Sequence, residues 1–115
     1  EKKVIIITGS GGFIGSALVN KLAGRFALIG FDRAVTRQPP AAAECVCIDL
    51  TSEQAIAAAL KRVRTAYGER IASVIHLAAY FDLTGEPNPK YEQITVRGTE
   101  LLLRELQSFD VEQFI

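Results

Sequence analysis

The sequence predicts an α/β fold in which a doubly wound parallel sheet is covered by helices on both faces. Two features of the chain lead to this prediction. Short apolar runs rich in Val and Ile alternate with longer segments whose apolar residues recur at helical spacing. The connections between these segments are short, which favours parallel strands joined by right-handed helical crossovers. We therefore expect one domain over residues 1–115, with the strand order 3-2-1-4-5 of a doubly wound sheet.

The strands are predicted from short apolar segments bounded by turn residues. Val4–Ile7 is apolar throughout, as expected of a strand that is buried on both faces. The other predicted strands are Phe26–Asp32, Glu44–Asp49 and Ala72–Leu77. Residues Val111–Ile115 have the pattern of the start of a fifth strand. Because a domain seldom ends within a strand, and because the chain contains no methionine, we expect it to be the N-terminal part of a longer protein, truncated at the fifth strand.

The helices are predicted from their apolar stripes and from residues that start or stop helices. The first helix ends near Gly24, and the third spans Tyr91–Ser108. The second begins with a capping box formed by Thr51 and Gln54 and ends at Gly68. The stripe residues of the three helices are, in order, Ile14, Ala17, Leu18 and Leu22; Ile56, Ala59, Leu60 and Val63; and Ile94, Leu101, Leu102 and Leu106.

The composition argues against several classes of function. Acidic and basic residues balance at 13 each, whereas nucleic-acid-binding proteins carry a clustered basic surplus. No apolar run approaches the roughly 18 residues that span a bilayer, and the apolar run near the N-terminus is too short for a secretory signal. We expect a cytoplasmic protein that binds neither nucleic acid nor membrane. Cys45 and Cys47 lack a second Cys or His pair for a metal site, so we expect them to fill one face of a strand.

The most informative segment is the glycine-rich turn that follows the first strand. Gly9, Gly12 and Gly15 separate that strand from the first helix with the spacing of a dinucleotide-binding loop. In such a loop Gly9 allows the tight turn, Gly12 lets a pyrophosphate approach the amides at the helix N-terminus, and Gly15 lets the helix pack on the sheet. A glycine-rich turn without a ligand is the alternative. A P-loop is excluded because no Gly-Lys-Ser/Thr sequence follows.

An acidic residue at the end of the second strand supports the dinucleotide interpretation. Asp32 stands about 20 residues beyond the glycines, where its carboxylate could accept hydrogen bonds from both hydroxyls of an adenosine ribose. The same charge would repel a 2′-phosphate, which favours NAD over NADP. Arg33, and Arg37 in a loop predicted over residues 34–43, leave NADP open because a nearby guanidinium can bind that phosphate.

These features together carry a family resemblance. The segments Thr8–Gly15, Asp32, Asp49–Leu50 and His76–Ala79, in this order, resemble those of the extended short-chain dehydrogenases/reductases. Within that group the chain is most similar to the NAD-dependent epimerase/dehydratase family and its 3β-hydroxysteroid-dehydrogenase-like members. The resemblance spans nearly the whole chain and implies a Rossmann-type NAD(P)-binding fold. It also implies an enzyme that acts by hydride transfer on a nucleotide sugar or a hydroxysteroid-like alcohol.

The resemblance assigns roles beside the cofactor to individual residues. The backbone amides of Phe13 and Ile14 would bind the pyrophosphate, and Asp49 and Leu50 would flank the adenine. Asp49 can equally be a residue that the dipole favours at a helix N-terminus. The small or apolar residues that would let the cofactor lie across the strand ends are Leu77, Ala78 and Ala79.

Other positions match the family less directly. His76, the only histidine, corresponds to a structural residue beside the cofactor and not to a general base. Thr95 stands where the family usually has Asn, so a hydroxyl replaces the paired donor and acceptor of an amide. The residues that we expect to anchor a packed loop at the nicotinamide side are Tyr80, Phe81 and Asp82.

The catalytic signature of the family is absent from these residues. Such enzymes use a Tyr with a Lys four residues later as the acid/base while hydride passes to or from the nicotinamide. The tyrosines and the residues at that offset are Tyr67 and Ile71, Tyr80 and Thr84, and Tyr91 and Thr95. We therefore expect no catalytic residue in the chain, weak cofactor binding at most and no activity of the chain alone. The alternatives are a non-catalytic NAD(P) sensor and an interaction module whose glycine loop holds no ligand.

Overall fold

The computed structural model describes residues 2–33, 43–79 and 84–115. Arg37, the loop anchor predicted at Tyr80, Phe81 and Asp82, and most of the loop predicted over 34–43 lie outside these residues. The helices are α1 (Phe13–Leu22), α2 (Glu53–Tyr67) and α3 (Gly98–Glu105). The strands are β1 (Val4–Thr8), β2 (Ala27–Asp32), β3 (Ala43–Cys47), β4 (Arg70–Ile71), β5 (Ser73–His76) and β6 (Asp110–Val111).

The main sheet is parallel and has the order β3-β2-β1-β5. In its centre, Ile6 of β1 lies between Ile29 of β2 and Val74 of β5. Beyond β5, Phe114 forms a parallel bridge to Val74, so the segment 113–115 occupies the next position in the sheet. The predicted α/β fold class and the order 3-2-1-4-5 are confirmed, with β5 as the fourth strand of that order.

The central strand is buried because each face of the sheet carries its own apolar cluster. On one face, α2 and α3 pack against a large cluster that includes Ile6 and Val74. On the other face, α1 covers a smaller cluster built on Ile5 and Ile7. The side chains of β1 alternate between the two clusters, which explains why all of Val4–Thr8 is buried.

The buried face of α1 differs from the predicted stripe. Ile14 is 61% exposed and Ala17 is exposed, whereas Gly15 and Val19 are the buried residues of the helix. The prediction for Ile14 and Ala17 is wrong because the helix begins in close contact with the glycine loop, and this contact sets which face turns inward. The predicted stripe residues that do pack against the smaller cluster are Leu18 and Leu22.

The start of α2 also differs from the prediction. Its N-cap is Ser52, whose hydroxyl accepts a hydrogen bond of 3.2 Å from the Ala55 N–H. The capping box predicted from Thr51 and Gln54 is therefore wrong. The hydroxyl of Thr51 instead donates a hydrogen bond to the Asp49 carboxylate in the turn that precedes the helix. The predicted end is confirmed by Gly68, which follows the helix with a φ of 94°. The predicted stripe is confirmed by the burial of Ile56, Ala59, Leu60 and Val63.

The third predicted helix consists of successive segments with different pitch. A π-helical segment, Tyr91–Arg97, leads into α3, and a 3-10 turn, Leu106–Ser108, follows it. Gly98 stands at the first junction, where a Cβ would lie 3.3 Å from the carbonyl oxygen of Leu50. The lack of a side chain therefore lets this helix approach the turn that follows β3. The predicted stripe residues that are buried are Leu101, Leu102 and Leu106.

Two predictions about the strands need correction. The strand predicted over Ala72–Leu77 is one residue shorter at each end, Ser73–His76, and Ala72, whose N–H donates to the Val4 carbonyl at 2.8 Å, separates it from β4. The cysteines do not both fill the sheet, because Cys45 is half-buried and Cys47 is exposed. This difference arises because β3 lies at the edge of the main sheet, where the end of the strand is open to solvent.

Candidate functional site

A cavity of about 380 Å³ lies at the carboxyl ends of the parallel strands, where doubly wound sheets bind ligands. The turns that follow β1, β2, β3 and β5 meet there because parallel strands bring their carboxyl ends to the same edge. The predicted cofactor-binding residues that line this cavity are Gly9, Gly12, Asp32, Arg33, Asp49, Leu50, Leu77, Ala78 and Ala79. The structure thus brings together residues that are far apart in the sequence.

Part of the cavity lining was not predicted from the sequence. The additional residues are Phe31, Ile48, Thr51 and Ile94. Phe31 and Ile48 are buried apolar residues that immediately precede Asp32 and Asp49, so their position at a strand end was the available signal. Ile94 was predicted only as part of an apolar helix stripe. Nothing in the local sequence indicates that the helix turns this residue toward the strand ends.

Other predicted site residues lie outside the cavity lining. Phe13 and Ile14 are the first residues of α1, and their side chains are 93% and 61% exposed. The N–H groups at the start of a helix have no partner within it, so the predicted pyrophosphate contacts would be made by the backbone. Gly15 is buried, and Thr95 is half-buried in the π-helical segment.

The glycine loop is shaped by contacts with itself and with the end of β5. Gly9 has a φ of +68°, which other residues rarely adopt, and a Cβ there would lie 3.0 Å from the Ala78 nitrogen. The Gly12 N–H donates to the Gly9 carbonyl at 3.0 Å. A Cβ on Gly15 would collide with that same carbonyl. Gly15 therefore lets the helix pack on the loop, whereas the sequence predicted packing on the sheet.

Asp32 binds the glycine loop that it faces. Its Oδ2 accepts a hydrogen bond of 2.7 Å from the Gly11 N–H, and its Oδ1 accepts one of 2.7 Å from the Arg33 N–H. The residue is half-buried at the cavity wall, and each carboxylate oxygen has further acceptor capacity. Asp32 can therefore accept hydrogen bonds from a diol in addition to those from the backbone. Arg33 is exposed and borders the same cavity.

Asp49 is held by the turn that follows β3. Its Oδ1 accepts hydrogen bonds from the N–H and the hydroxyl of Thr51, at 2.9 and 2.6 Å. The hydrogen bond from the Thr51 hydroxyl, followed by that from the N–H, lowers the pKa of Asp49, so this group is ionised at neutral pH. Because both donors use Oδ1, Oδ2 remains an acceptor for a ligand amine.

His76 adjoins the cavity and is bonded through both ring nitrogens. Nδ1 lies 2.6 Å from Thr8 Oγ1, and Nε2 lies 2.7 Å from Thr99 Oγ1. Thr8 Oγ1 also accepts from the N–H groups of Leu77 and Ala78, at 3.0 and 3.1 Å. Burial lowers the pKa of His76, so the ring is neutral at pH 7. A neutral ring with both nitrogens occupied is suited to a structural role and poorly suited to general-base catalysis.

Metal-binding clusters and membrane-spanning helices are not found among the residues that the structure describes. Across residues 2–33, 43–79 and 84–115, no group of three or more His, Cys, Asp or Glu side chains is arranged to hold a metal ion. None of the helices in these ranges has both the length and the apolar content needed to cross a bilayer.

Curated relatives share a third or less of their length with this chain. The 3 beta-hydroxysteroid dehydrogenase/Delta 5→4-isomerase of Mycobacterium tuberculosis, in strains CDC 1551 and H37Rv, is 31% identical to it over 113 residues. The match covers 96% of this chain and 30% of each relative.

Solved structures agree with the fold. A UDP-glucose 4-epimerase of Thermus thermophilus, in complex with NAD, superimposes with a TM-score of 0.80 and 23% identity, over 96% of this chain and 36% of that one. An L-threonine dehydrogenase of Clostridium difficile gives a TM-score of 0.77 and 24% identity, over 99% and 36%. A mutant uronate dehydrogenase of Agrobacterium tumefaciens, complexed with NAD, gives 0.72 and 21%, over 93% and 37%. At these identities the likeness establishes the fold alone.

The family itself is established by sequence. The model of the NAD dependent epimerase/dehydratase family matches residues 5–115, which is nearly the whole chain. The resemblance expected from the glycine loop, Asp32 and the His76–Ala79 segment is thereby confirmed. The chain belongs to the NAD dependent epimerase/dehydratase family.

Proposed function

We propose that this chain is the NAD-binding part of an enzyme that transfers hydride to or from an alcohol or carbonyl group. The observation that carries the proposal is the position of the Asp32 carboxylate. It lies at the cavity wall, bonded to the Gly11 N–H of the glycine loop, with acceptor capacity left on both oxygens. This arrangement suits the paired hydroxyls of an adenosine ribose next to a pyrophosphate.

The other residues of the cavity suit the remaining parts of the cofactor. The backbone amides of Phe13 and Ile14, at the positive end of α1, would hold the pyrophosphate. Leu50 would contact the adenine, and Asp49 Oδ2 would accept from its amino group. The side chains that would border the path toward the nicotinamide are Leu77, Ala78 and Ala79, and Thr95 would help to order that end of the site.

NAD is proposed over NADP on electrostatic grounds. A ribose 2′-phosphate would lie against the carboxylate of Asp32, and like charges in contact disfavour binding. Arg33 borders the cavity and is exposed, so it offers a partial countercharge. We expect this arginine to reduce the discrimination against NADP without reversing it, because Asp32 is fixed by backbone donors on both oxygens.

The chemistry of the whole protein is proposed from the family. When bound, the nicotinamide supplies a hydride acceptor or donor. The residues of this chain would bind and orient it, whereas proton exchange with the substrate needs an acid/base pair that they do not supply. In the sequence no Tyr is followed by a Lys at the fourth position. We therefore propose that this pair lies elsewhere in the whole protein, whose substrate is a nucleotide sugar or a hydroxysteroid-like alcohol.

The proposal is tested by calorimetric titration of NAD and NADP into the whole protein, because we expect the chain alone to bind a cofactor weakly at most. We expect NAD to bind more tightly than NADP, and Asp32→Asn to remove most of that difference by removing the negative charge. Asp110→Asn is the matched control, since Asp110 is an exposed acid in β6, outside the cavity lining. If neither dinucleotide binds, the cavity has another ligand and the proposal is wrong. If NADP binds more tightly, the assignment of Asp32 is wrong.

The alternative function is that of a non-catalytic NAD sensor, which the lack of a Tyr-x-x-x-Lys pair in the whole protein would favour. The two functions are separated by offering the whole protein NAD together with nucleotide-sugar and hydroxysteroid alcohols and following the absorbance of NADH. Formation of NADH supports the enzyme. Tight NAD binding without NADH formation, and without epimerised or dehydrated product, supports the sensor.

A further inference from the structure

The hydrogen bonds around Thr8 determine where the proton of His76 resides. Thr8 Oγ1 accepts hydrogen bonds from the N–H groups of Leu77 and Ala78, at 3.0 and 3.1 Å. The Leu77 N–H also donates to the Thr8 carbonyl, at 3.2 Å. With its acceptor positions used, the Thr8 hydroxyl must donate to His76 Nδ1, which is 2.6 Å away. Nδ1 is therefore the unprotonated nitrogen, and the single proton of the neutral ring is on Nε2.

The same hydrogen-bond chain continues into the helix on the other side of the ring. His76 Nε2 donates to Thr99 Oγ1 at 2.7 Å, and the Thr99 hydroxyl donates to the Thr95 carbonyl at 2.5 Å. From the Thr8 hydroxyl onward, each side-chain donor has one acceptor: Thr8 donates to His76, His76 to Thr99, and Thr99 to the Thr95 carbonyl. The path joins the end of β1, the end of β5 and the junction between the π-helical segment and α3.

These connected elements form part of the cavity. Leu77 and Ala78, whose amides bond Thr8, line it directly, as does Ile94, which precedes Thr95. His76 and Thr99 do not line it. A displacement of either side chain would nevertheless be transmitted to the wall, because each is bonded to a group that holds a lining residue.

We propose that Thr99 and His76 are positioning residues that hold the Leu77–Ala78 backbone and the Ile94 turn at their places in the cavity wall. This role requires a neutral ring with its proton on Nε2. The other tautomer would direct an Nδ1–H donor at the Thr8 hydroxyl, whose acceptor positions are already used. The proposal rests on the proposed function only for its effect on NAD affinity.

Thr99 makes one hydrogen bond more than an ordinary helical threonine, and Thr65 of the same chain is a suitable comparison. A Thr hydroxyl commonly bonds the carbonyl four residues earlier, and Thr65 does so to the Lys61 carbonyl at 3.0 Å. Thr65 is exposed, and its hydroxyl bonds within its own helix. Thr99 makes the same bond and in addition accepts from His76 Nε2. Thr65→Val therefore controls for the loss of a helical threonine hydroxyl alone.

The first experiment reads the tautomer directly. Because His76 is the only histidine among residues 1–115, a ¹⁵N NMR spectrum of this chain at pH 7.5 contains one pair of imidazole nitrogen signals. We expect a protonated Nε2 and an unprotonated Nδ1. A ring protonated on Nδ1, or one that averages between the tautomers, overturns the proposal. This measurement needs neither a variant nor a dinucleotide.

The second experiment compares Thr99→Val, Thr99→Ser and Thr65→Val by amide hydrogen exchange and by NAD titration. In Thr99→Val we expect faster exchange of the Leu77 and Ala78 amides and weaker NAD binding, each by about fivefold, the loss of one typical hydrogen bond. Thr99→Ser should restore both values, and Thr65→Val should leave both unchanged. His76→Asn, which keeps an acceptor near Thr8 but cannot reach Thr99, provides a second variant if Thr99→Val does not fold.

The outcomes separate this proposal from the proposed function. Unchanged exchange at Leu77 and Ala78 in Thr99→Val, or equal effects in Thr65→Val, would mean that Thr99 has no positioning role. If exchange rises as expected but the unmodified protein binds no NAD, the positioning role stands and the dinucleotide proposal is wrong. If exchange rises and NAD affinity does not change in a protein that binds NAD, the two residues position the cavity wall without acting on the cofactor, and the predicted effect on NAD affinity is overturned.

Discussion

The Asp32 carboxylate accepts a hydrogen bond of 2.7 Å from the backbone N–H of Gly11, which lies 21 positions earlier in the chain. The two residues meet because β1 and β2 are neighbours in the parallel sheet, so their carboxyl ends lie side by side. Asp32 thus helps to form the glycine loop and also borders the cavity. A substitution that removes the whole Asp32 side chain would disturb the glycine loop as well as the cavity. Asp32→Asn changes the charge with little change in shape, so it tests the role of the charge more directly.

Gly15→Ala and Gly12→Ala are expected to have different effects. A Cβ on Gly15 collides with the Gly9 carbonyl, a backbone atom that cannot turn aside, so we expect a loss of about 3 kcal/mol or more in the free energy of unfolding. Gly12 is exposed with a φ of −75°, and a Cβ there meets its nearest atom at 3.3 Å. Gly12→Ala should cost at most about 1 kcal/mol. Its main effect should be on NAD affinity, which we expect to fall at least about tenfold because the Cβ occupies the approach of the pyrophosphate.

Urea denaturation and calorimetric titration distinguish these two glycines. Equal stability of the two variants would contradict the packing described for Gly15. Unchanged NAD affinity in a folded Gly12→Ala protein would contradict the proposed pyrophosphate site.

The cap of α2 gives a second prediction about stability. Ser52→Ala removes the acceptor of the Ala55 N–H and should lower the free energy of unfolding by about 1 kcal/mol. Gln54→Ala is the control, because the sequence pattern assigned Gln54 to a capping box that the structure does not contain. It should change stability by less than about 0.5 kcal/mol. A larger loss in Gln54→Ala than in Ser52→Ala, measured by urea denaturation, would restore the original capping box.

The buried histidine predicts how stability depends on pH. Burial lowers the pKa of His76 below its ordinary value of 6.5, so near pH 6 the unfolded chain binds more protons than the folded one. Stability is therefore complete above pH 6.5 and declines as the pH falls from 6.5 through the lower pKa of the folded state. His76→Asn should remove this decline. The lowered pKa of Asp49 acts in the same direction, but only near and below its ordinary value of 3.8.

This prediction is checked by urea denaturation at several pH values between neutrality and about pH 5, above the range in which most carboxylates titrate. A free energy of unfolding that rises on acidification in this window would show that the imidazolium is stabilised in the folded state. The same slope in the parent protein and in His76→Asn would assign the effect to another group.

The cysteines should differ in their reactivity toward thiol reagents. Cys47 is exposed, whereas Cys45 is half-buried, and burial raises the pKa of its thiol. Because the thiolate is the nucleophile, we expect iodoacetamide to alkylate Cys47 first and Cys45 slowly at neutral pH. Peptide mass spectrometry after short exposures would show the order. Cys47→Ser should abolish the fast phase, and preferential labelling of Cys45 would contradict the burial described here.

The predictions from sequence that succeeded share a local origin. The strand Val4–Ile7, the glycine turn and the stop at Gly68 depend on residues that act within a few positions of one another. Apolar runs, positive φ angles and helix ends leave such signals in the sequence itself. The order of the strands also followed, because short right-handed crossovers leave few topologies available.

The predictions that failed concerned helix positions that only the packed structure could assign. Ile14 fits an apolar helix stripe, yet the packing of Gly15 against Gly9 turns it outward. Thr51 and Ser52 are both plausible caps, and the hydrogen bonds of Thr51 to Asp49 leave the capping position to Ser52. In each case the local pattern was satisfied by more than one arrangement, and packing selected among them.

The sequence by itself determined the fold class, the family and most of the residues that line the cavity, because these follow from periodicity and from motifs with fixed local spacing. Only the tertiary structure decided how Asp32 meets Gly11 and how His76 joins Thr8 to Thr99, since these pairs are adjacent in space but distant in sequence. The direction of a hydrogen bond depends on how many donors surround each acceptor. That number is set by the packing of separate segments and cannot be read from any one of them.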